Sequence, residues 1–379
     1  MTYRTLVKPL LLFVLISVAY IILYLLFLFG IVGSFLIQER AFDPIGFLHL
    51  VTLLCYGYLG LRLSTKLATT KTSYKLRIRT SFDALYIIII LINITATWAF
   101  YSGTISAVRF NVLSPNFWLY LLGNQYRRQI VWGKGFTILN NLFFVSLAYS
   151  CYYYNLGRKK YKFILLYDVA MIALSALFYG ARLKLVLGLI ILLVNYVRNR
   201  AYKRTPNTLA IIVFVIIFSL FLLFWGGVRG TVTGIYSKWT NSELLWSIRS
   251  FTDYFVSTTM FTTIGLGSTR GITLSEVRDR LGPYEIRGYT NFGRYIAVYN
   301  NFGFFDFIYV LVTYFIYGII WKHFDRGDKF GQLFYPFAVY FILEGLRIEP
   351  LLVFDFQFTM IMMLVLYSLP DGRIENSMT

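Results

Sequence analysis

The sequence predicts an all-α polytopic integral membrane protein, and three observations carry that reading. Of 379 residues, 58% are hydrophobic, 20% aromatic and only 14% charged, and the mean hydropathy of +0.64 exceeds what a soluble chain could hide in a core. Apolar runs of membrane-crossing length recur along the chain, bounded by charged residues. Between them falls a basic surplus, 36 Lys+Arg against 17 Asp+Glu, for a formal net charge of +19.

The first run, residues 9–37, is 29 residues without a charge, enough to cross a hydrocarbon core of about 30 Å with some tilt. It is too long for a secretory signal and lacks a small-residue cleavage site, so it is expected to remain as a span. Comparable stretches follow near 44–61, 84–103, 137–156, 161–180, 182–198, 207–227, 304–321, 330–346 and 350–369. The last three are shorter or interrupted by acidic residues. A further piece, 110–122, is broken by Pro115 and, at 13 residues, is expected to lie at the interface within a smaller outer loop, 104–136. About ten spans in a single transmembrane domain, 1–379, result.

Charge orients them. With both termini inside, the inner segments hold Arg4 and Lys8; Arg62 to Arg79; Arg158 to Lys162; Arg198 to Arg204; Lys322 to Lys329; and Arg373, twenty of the 36 basic residues. Treating 110–122 as a span would invert the bias of the loops that follow.

Sixteen basic residues remain outside. Eight lie in one long outer segment, 228–302: Arg229, Lys238, Arg249, Arg270, Arg278, Arg280, Arg287 and Arg294. Arg182 and Lys184 begin the sixth span, and Arg347 follows the ninth. Nine of these eleven are arginine, whereas the inner set is half lysine. That bias points to planar, bidentate recognition of phosphate or carboxylate beyond topology control, although a long loop is also free to carry charge simply because water covers it.

The outer segment alternates aromatic, small and basic residues. Its Thr/Ser-rich stretch, 257–268, is too polar to span and too apolar for disorder, so short interfacial helices are expected. Within 278–289, Arg278, Arg280, Tyr284, Glu285, Arg287 and Tyr289 mix guanidinium forks, a carboxylate and rings with turn formers. Sugar-binding surfaces use that mixture, because tyrosine rings stack on pyranose faces and carboxylates accept hydrogen bonds from hydroxyls; a plain cap over the bundle uses it too. Charges inside spans are costly unless paired or wetted. Arg182 and Lys184 sit at outer headgroup level in a tight hairpin beside Gly180, placed either to bind a ligand or to snorkel. Asp168, a third of the way into the fifth span, is expected to pair with a basic residue. Asp306, Glu344, Arg347, Glu349 and Asp355 gather near the outer ends of the last spans, as an ion-pair network or as the wall of an active cavity.

This pattern resembles the O-antigen and oligosaccharide repeat-unit polymerases, the Wzy-type proteins of the bacterial envelope. It covers the whole chain: ten or more helices, abundant Tyr and Phe, short basic inner loops, an arginine opening a mid-chain helix, and one large outer loop in the C-terminal half. Its most specific stretch is Tyr289-Thr290-Asn291-Phe292-Gly293-Arg294-Tyr295-Ile296-Ala297-Val298-Tyr299-Asn300-Asn301-Phe302-Gly303-Phe304-Phe305, which leads into a span ending Tyr317-Gly318. At Asn301 the chain departs from members that carry an acidic residue there, which argues against a base at that turn.

The resemblance implies a GT-C-like bundle in the bacterial inner membrane with its large loop in the periplasm. It implies transfer of a growing glycan from undecaprenyl pyrophosphate to the next lipid-linked repeat unit, for O-antigen or a similar surface polysaccharide, without nucleotide sugar, ATP, metal or other cofactor. Arg182, Lys184, Arg229, Arg249, Arg270 and Arg294 become candidates for the pyrophosphate, and Asp253, Glu285 or Asp306 for a general base. The implied partners are the undecaprenyl-pyrophosphate-linked oligosaccharide, the lipid bilayer and a chain-length regulator of the Wzz type, with no nucleic acid.

Competing classes remain. The O-antigen ligases share the bundle and the big loop but are understood to use a histidine in that loop, whereas His49 falls in the second span and His323 on the inner side. A lipid-linked oligosaccharide flippase or other transporter would need intramembrane charges but no large loop, and internal repeats are not evident. Ten-span cell-wall glycan polymerases are a further possibility. Cys55 and Cys151 fall in apolar runs, and with two histidines no Cys/His metal site can be assembled.

Overall fold

The structure, a computed structural model, describes residues 8–31, 44–66, 82–102, 136–179, 182–203, 298, 301–344 and 349–369. All regular structure among them is helical: α1 (Pro9–Leu28), α2 (Pro44–Lys66), α3 (Phe82–Phe100), α4 (Leu142–Asn155), α5 (Tyr161–Tyr179), α6 (Arg182–Lys203), α7 (Asp306–Arg326), α8 (Lys329–Glu344) and α9 (Phe354–Ser368). Short 3-10 segments precede α4, α7 and α9. Among the described residues four helices, α1, α2, α5 and α7, are long and apolar enough to cross a membrane; α3 and α9 contain shorter apolar helices.

Nine of the expected stretches hold helices, with shifted edges. The seventh, 207–227, lies outside the described residues, as do nearly all of the outer segment 228–302 and the smaller loop 104–136 with its interfacial piece. Helix α7 begins two residues later than expected and runs on through Lys322, His323 and Arg326. Apolarity ends near Trp321, but the helix does not stop until Gly327 takes the left-handed conformation (φ 86°). There Asp328 N–H donates to His323 O and Gly327 N–H to Phe324 O, closing a Schellman turn. The same device at Gly157 ends α4. The last stretch divides: Pro350–Leu352 is a 3-10 turn, Val353 is extended, and α9 starts at Phe354.

The chain forms two compact units. The first contains α1, α2, α7 and both ends of α8. Its centre is α2 against α7, and the close approach is made by small residues. A Cβ at Gly60 would overlap the Leu311 carbonyl oxygen, and one at Gly318 would overlap the Ser64 hydroxyl. Small residues let helix backbones meet where apolar burial offers no drive, as in lipid. The register runs the same way on both helices, His49 with Asp306, Gly57 with Tyr314 and Ser64 with Gly318, so the pair is parallel. Helix α1 adds Phe13 edge-on to Tyr314 (4.7 Å) and Tyr24 stacked on Phe47 (5.6 Å).

The second unit contains α3, α4, α5, α6 and α9 with the middle of α8. Helix α4 is its core: Leu142 to Tyr153 are all buried. A helix apolar on every side belongs in such a position. At fourteen residues α4 is short, but the six-residue 3-10 segment Phe136–Asn141 precedes it, and together they extend about 33 Å. Tyr86, Tyr153 and Tyr161 pack together where α4 turns into α5, with Lys160 4.6 Å above the Tyr86 ring.

Outward faces are apolar as well. Ile308, Val312 and Ile316 on α7, and Ile87, Leu91, Ile94 and Trp98 on α3, form exposed stripes at helical spacing. Such stripes suit hydrocarbon rather than water.

Candidate functional site

Two sets of polar residues stand out, one in each unit. In the first unit, Asp306 occupies the first turn of α7, where the helix dipole favours a carboxylate, immediately after the 3-10 turn Gly303–Phe305. His49 lies in the second turn of α2. Its Nε2 is 2.7 Å from Asp306 Oδ2, with the histidine side chain 21% exposed and the aspartate 3%. A ring nitrogen that carries its proton donates to this carboxylate oxygen, which accepts. Phe302 stacks on Tyr309 (4.6 Å) and Tyr56 packs against Phe307 (5.0 Å), flanking the turn with rings. Along α2, His49 and Lys66 are about 26 Å apart. Because α2 and α7 are parallel, Arg62, Lys66, Lys322 and Arg326 lie at one end of the pair and His49–Asp306 toward the other.

The pairing shows what sequence reasoning missed. Asp306 was an expected base; His49 entered only as a histidine absent from the loop. Both are polar residues close to the starts of apolar runs, and that shared position was the available signal. Their 257-residue separation hides the contact itself.

In the second unit, Arg182 opens α6, placing its backbone at a helix N-terminus. Half-buried Lys184 donates from Nζ across the hairpin to Ser175 Oγ on α5 (3.3 Å), and the carboxylate of Asp355, in the first turn of α9, interacts with the ammonium. The amine is thus engaged by neighbouring helices instead of simply reaching to the interface.

Asp168 corrects an expectation. Among the described residues it is held by no basic group; Ser146 Oγ donates to its Oδ2 (2.8 Å). Glu349 also has a local task, its Oε1 accepting from Leu351 N–H (3.2 Å) to cap the 3-10 turn. The other expected site residues, Asp253 and Glu285, Arg229, Arg249, Arg270 and Arg294, and Arg278, Arg280, Tyr284, Arg287 and Tyr289, lie outside the described residues, as does Arg347. No protein-family model, curated protein or solved structure matches the chain.

Proposed function

We propose that the chain is a polymerase of lipid-linked oligosaccharide repeat units, a GT-C-like protein of about ten spans in the bacterial inner membrane with both termini cytoplasmic. In this reading it moves the growing glycan from undecaprenyl pyrophosphate to the next lipid-linked unit at the periplasmic face. The observation that carries it is the part-buried Asp306–His49 pair at the end of α2/α7 away from their basic termini. Under the positive-inside rule the basic ends are cytoplasmic, so the pair belongs to the outer boundary, where a carrier's pyrophosphate resides.

The chemistry needs two things of the protein. As the bond between the anomeric carbon and the pyrophosphate oxygen breaks, negative charge grows on the leaving group; Arg182 and Lys184, with Arg229, Arg249, Arg270 and Arg294, supply the cations for it. The acceptor hydroxyl oxygen forms the new bond to that carbon and passes its proton to Asp306, whose orientation His49 holds. Asp253 and Glu285 are the alternative bases, and Arg278, Arg280, Tyr284, Arg287 and Tyr289 the sugar contacts.

His49 also favours a second reading. A ligase transferring glycan to a different lipid acceptor would use a histidine, and this one reaches the first residue of α7, just beyond the long outer segment. The acceptor decides. Purified protein given only lipid-linked repeat units lengthens the glycan if it is a polymerase, and does so only with a second acceptor lipid if it is a ligase.

A further inference from the structure

Around Asp168 several buried oxygens are left without a hydrogen-bond partner among the described residues. Asn93 on α3 donates its amide Nδ2 to Ser146 Oγ (2.8 Å), and Ser146 on α4 donates onward to Asp168 Oδ2 on α5 (2.8 Å). Ser150, one turn along α4 from Ser146, and Asn93 also turn polar groups toward this carboxylate. The four side chains are buried, Asp168 completely. Asp168 Oδ1, Asn93 Oδ1 and Ser150 Oγ have no hydrogen-bond partner among the described residues. The Ser146 hydrogen is committed to Oδ2 and one Asn93 amide hydrogen to Ser146, which leaves the Asn93 carbonyl oxygen an acceptor.

We propose that Asp168, Asn93 and Ser150 bind a hard monovalent cation of sodium's size between α3, α4 and α5. Hard cations take oxygen ligands, and all three remaining atoms are oxygens. Charge selects the valence. One carboxylate neutralises one positive charge, whereas a divalent ion would leave a net charge among apolar helices. No group of three His, Cys, Asp or Glu that could hold such an ion occurs among the described residues. A proton on Oδ1 would also neutralise the carboxylate, but it donates to only one of the other two oxygens; a cation engages all three. The bound ion ties three helices of the unit together, so its binding energy adds to the stability of the fold.

The test uses the full-length protein in detergent at neutral pH and constant ionic strength, with sodium chloride exchanged for choline chloride and thermal unfolding followed. It involves no glycan, so its outcome is independent of the polymerase proposal. The wild type should gain about 2 °C or more in Tm, saturating with sodium. Asp168→Asn should not respond to sodium, and Ser150→Ala should need about tenfold more of it. If Asp168→Asn does not fold, the displaced half-saturation of Ser150→Ala decides. Equal Tm in the two salts overturns the site, and so does an Asp168→Asn response equal to that of the wild type. A Tm that rises only on acidification, with no response to sodium, makes Asp168 a protonated acid and likewise overturns it.

Discussion

Asp306 is nearly inaccessible and is held by one ring nitrogen 2.7 Å away, and this fixes what its replacement and its partner's should do. Asp306→Asn keeps the shape but cannot accept a proton, so glycan extension should fall about a hundredfold or more in a gel-based chain-length assay. Extension at the wild-type rate would remove Asp306 from the chemistry. His49→Leu takes away the donor and leaves a buried carboxylate unsatisfied, at a cost of about 1–3 kcal/mol in unfolding free energy, whereas His49→Gln retains an N–H and should lose less. Arg182→Lys keeps the charge but loses the fork; extension should drop about tenfold, and full retention would show that Arg182 only snorkels. At this scale the sequence revealed which groups were anomalous, because a charge beside an apolar run is costly wherever it folds. Partners were hidden: among the described residues Asp306 met a histidine from the second apolar run, Asp168 met a serine and no basic group, and Lys184 turned toward Ser175.

Helices were legible because hydrophobic runs and helix length are the same signal when the solvent is lipid. Ends were less so. Composition stopped α7 near Trp321, but the hydrogen bonds of the Gly327 turn carry it to Arg326, and charged side chains are no obstacle to a helix beyond the apolar layer. The closeness of α2 and α7 was not anticipated, since Gly57, Gly60 and Ser64 draw their meaning from a partner more than 250 residues away. It has a direct consequence. Gly60→Leu would drive a side chain into the Leu311 backbone, so thermal unfolding should show a loss of about 1–3 kcal/mol or more. Leu59→Ala, at an exposed neighbouring position, should change little; equal effects of the two would mean that the helices do not meet there.

For the whole molecule, the net charge of +19 has two parts. In the proposed topology, lysine and arginine at the cytoplasmic ends set orientation and an arginine-rich remainder faces the other way. The parallel α2/α7 pair agrees with that topology, since the two proposed spans enter from the same side. A cysteine placed at Asp328, in a chain whose Cys55 and Cys151 are replaced by serine, should react with an impermeant thiol reagent only from the cytoplasmic side. Labelling from the periplasm would invert the topology and move Asp306 away from the carrier. The most direct measurement reconstitutes the purified chain in liposomes with undecaprenyl-pyrophosphate-linked repeat units, sodium salt and a divalent-metal chelator, and resolves product length. The proposed function predicts a ladder of lengthened glycans without nucleotide sugar or added acceptor; units moved across the bilayer but never joined would contradict it.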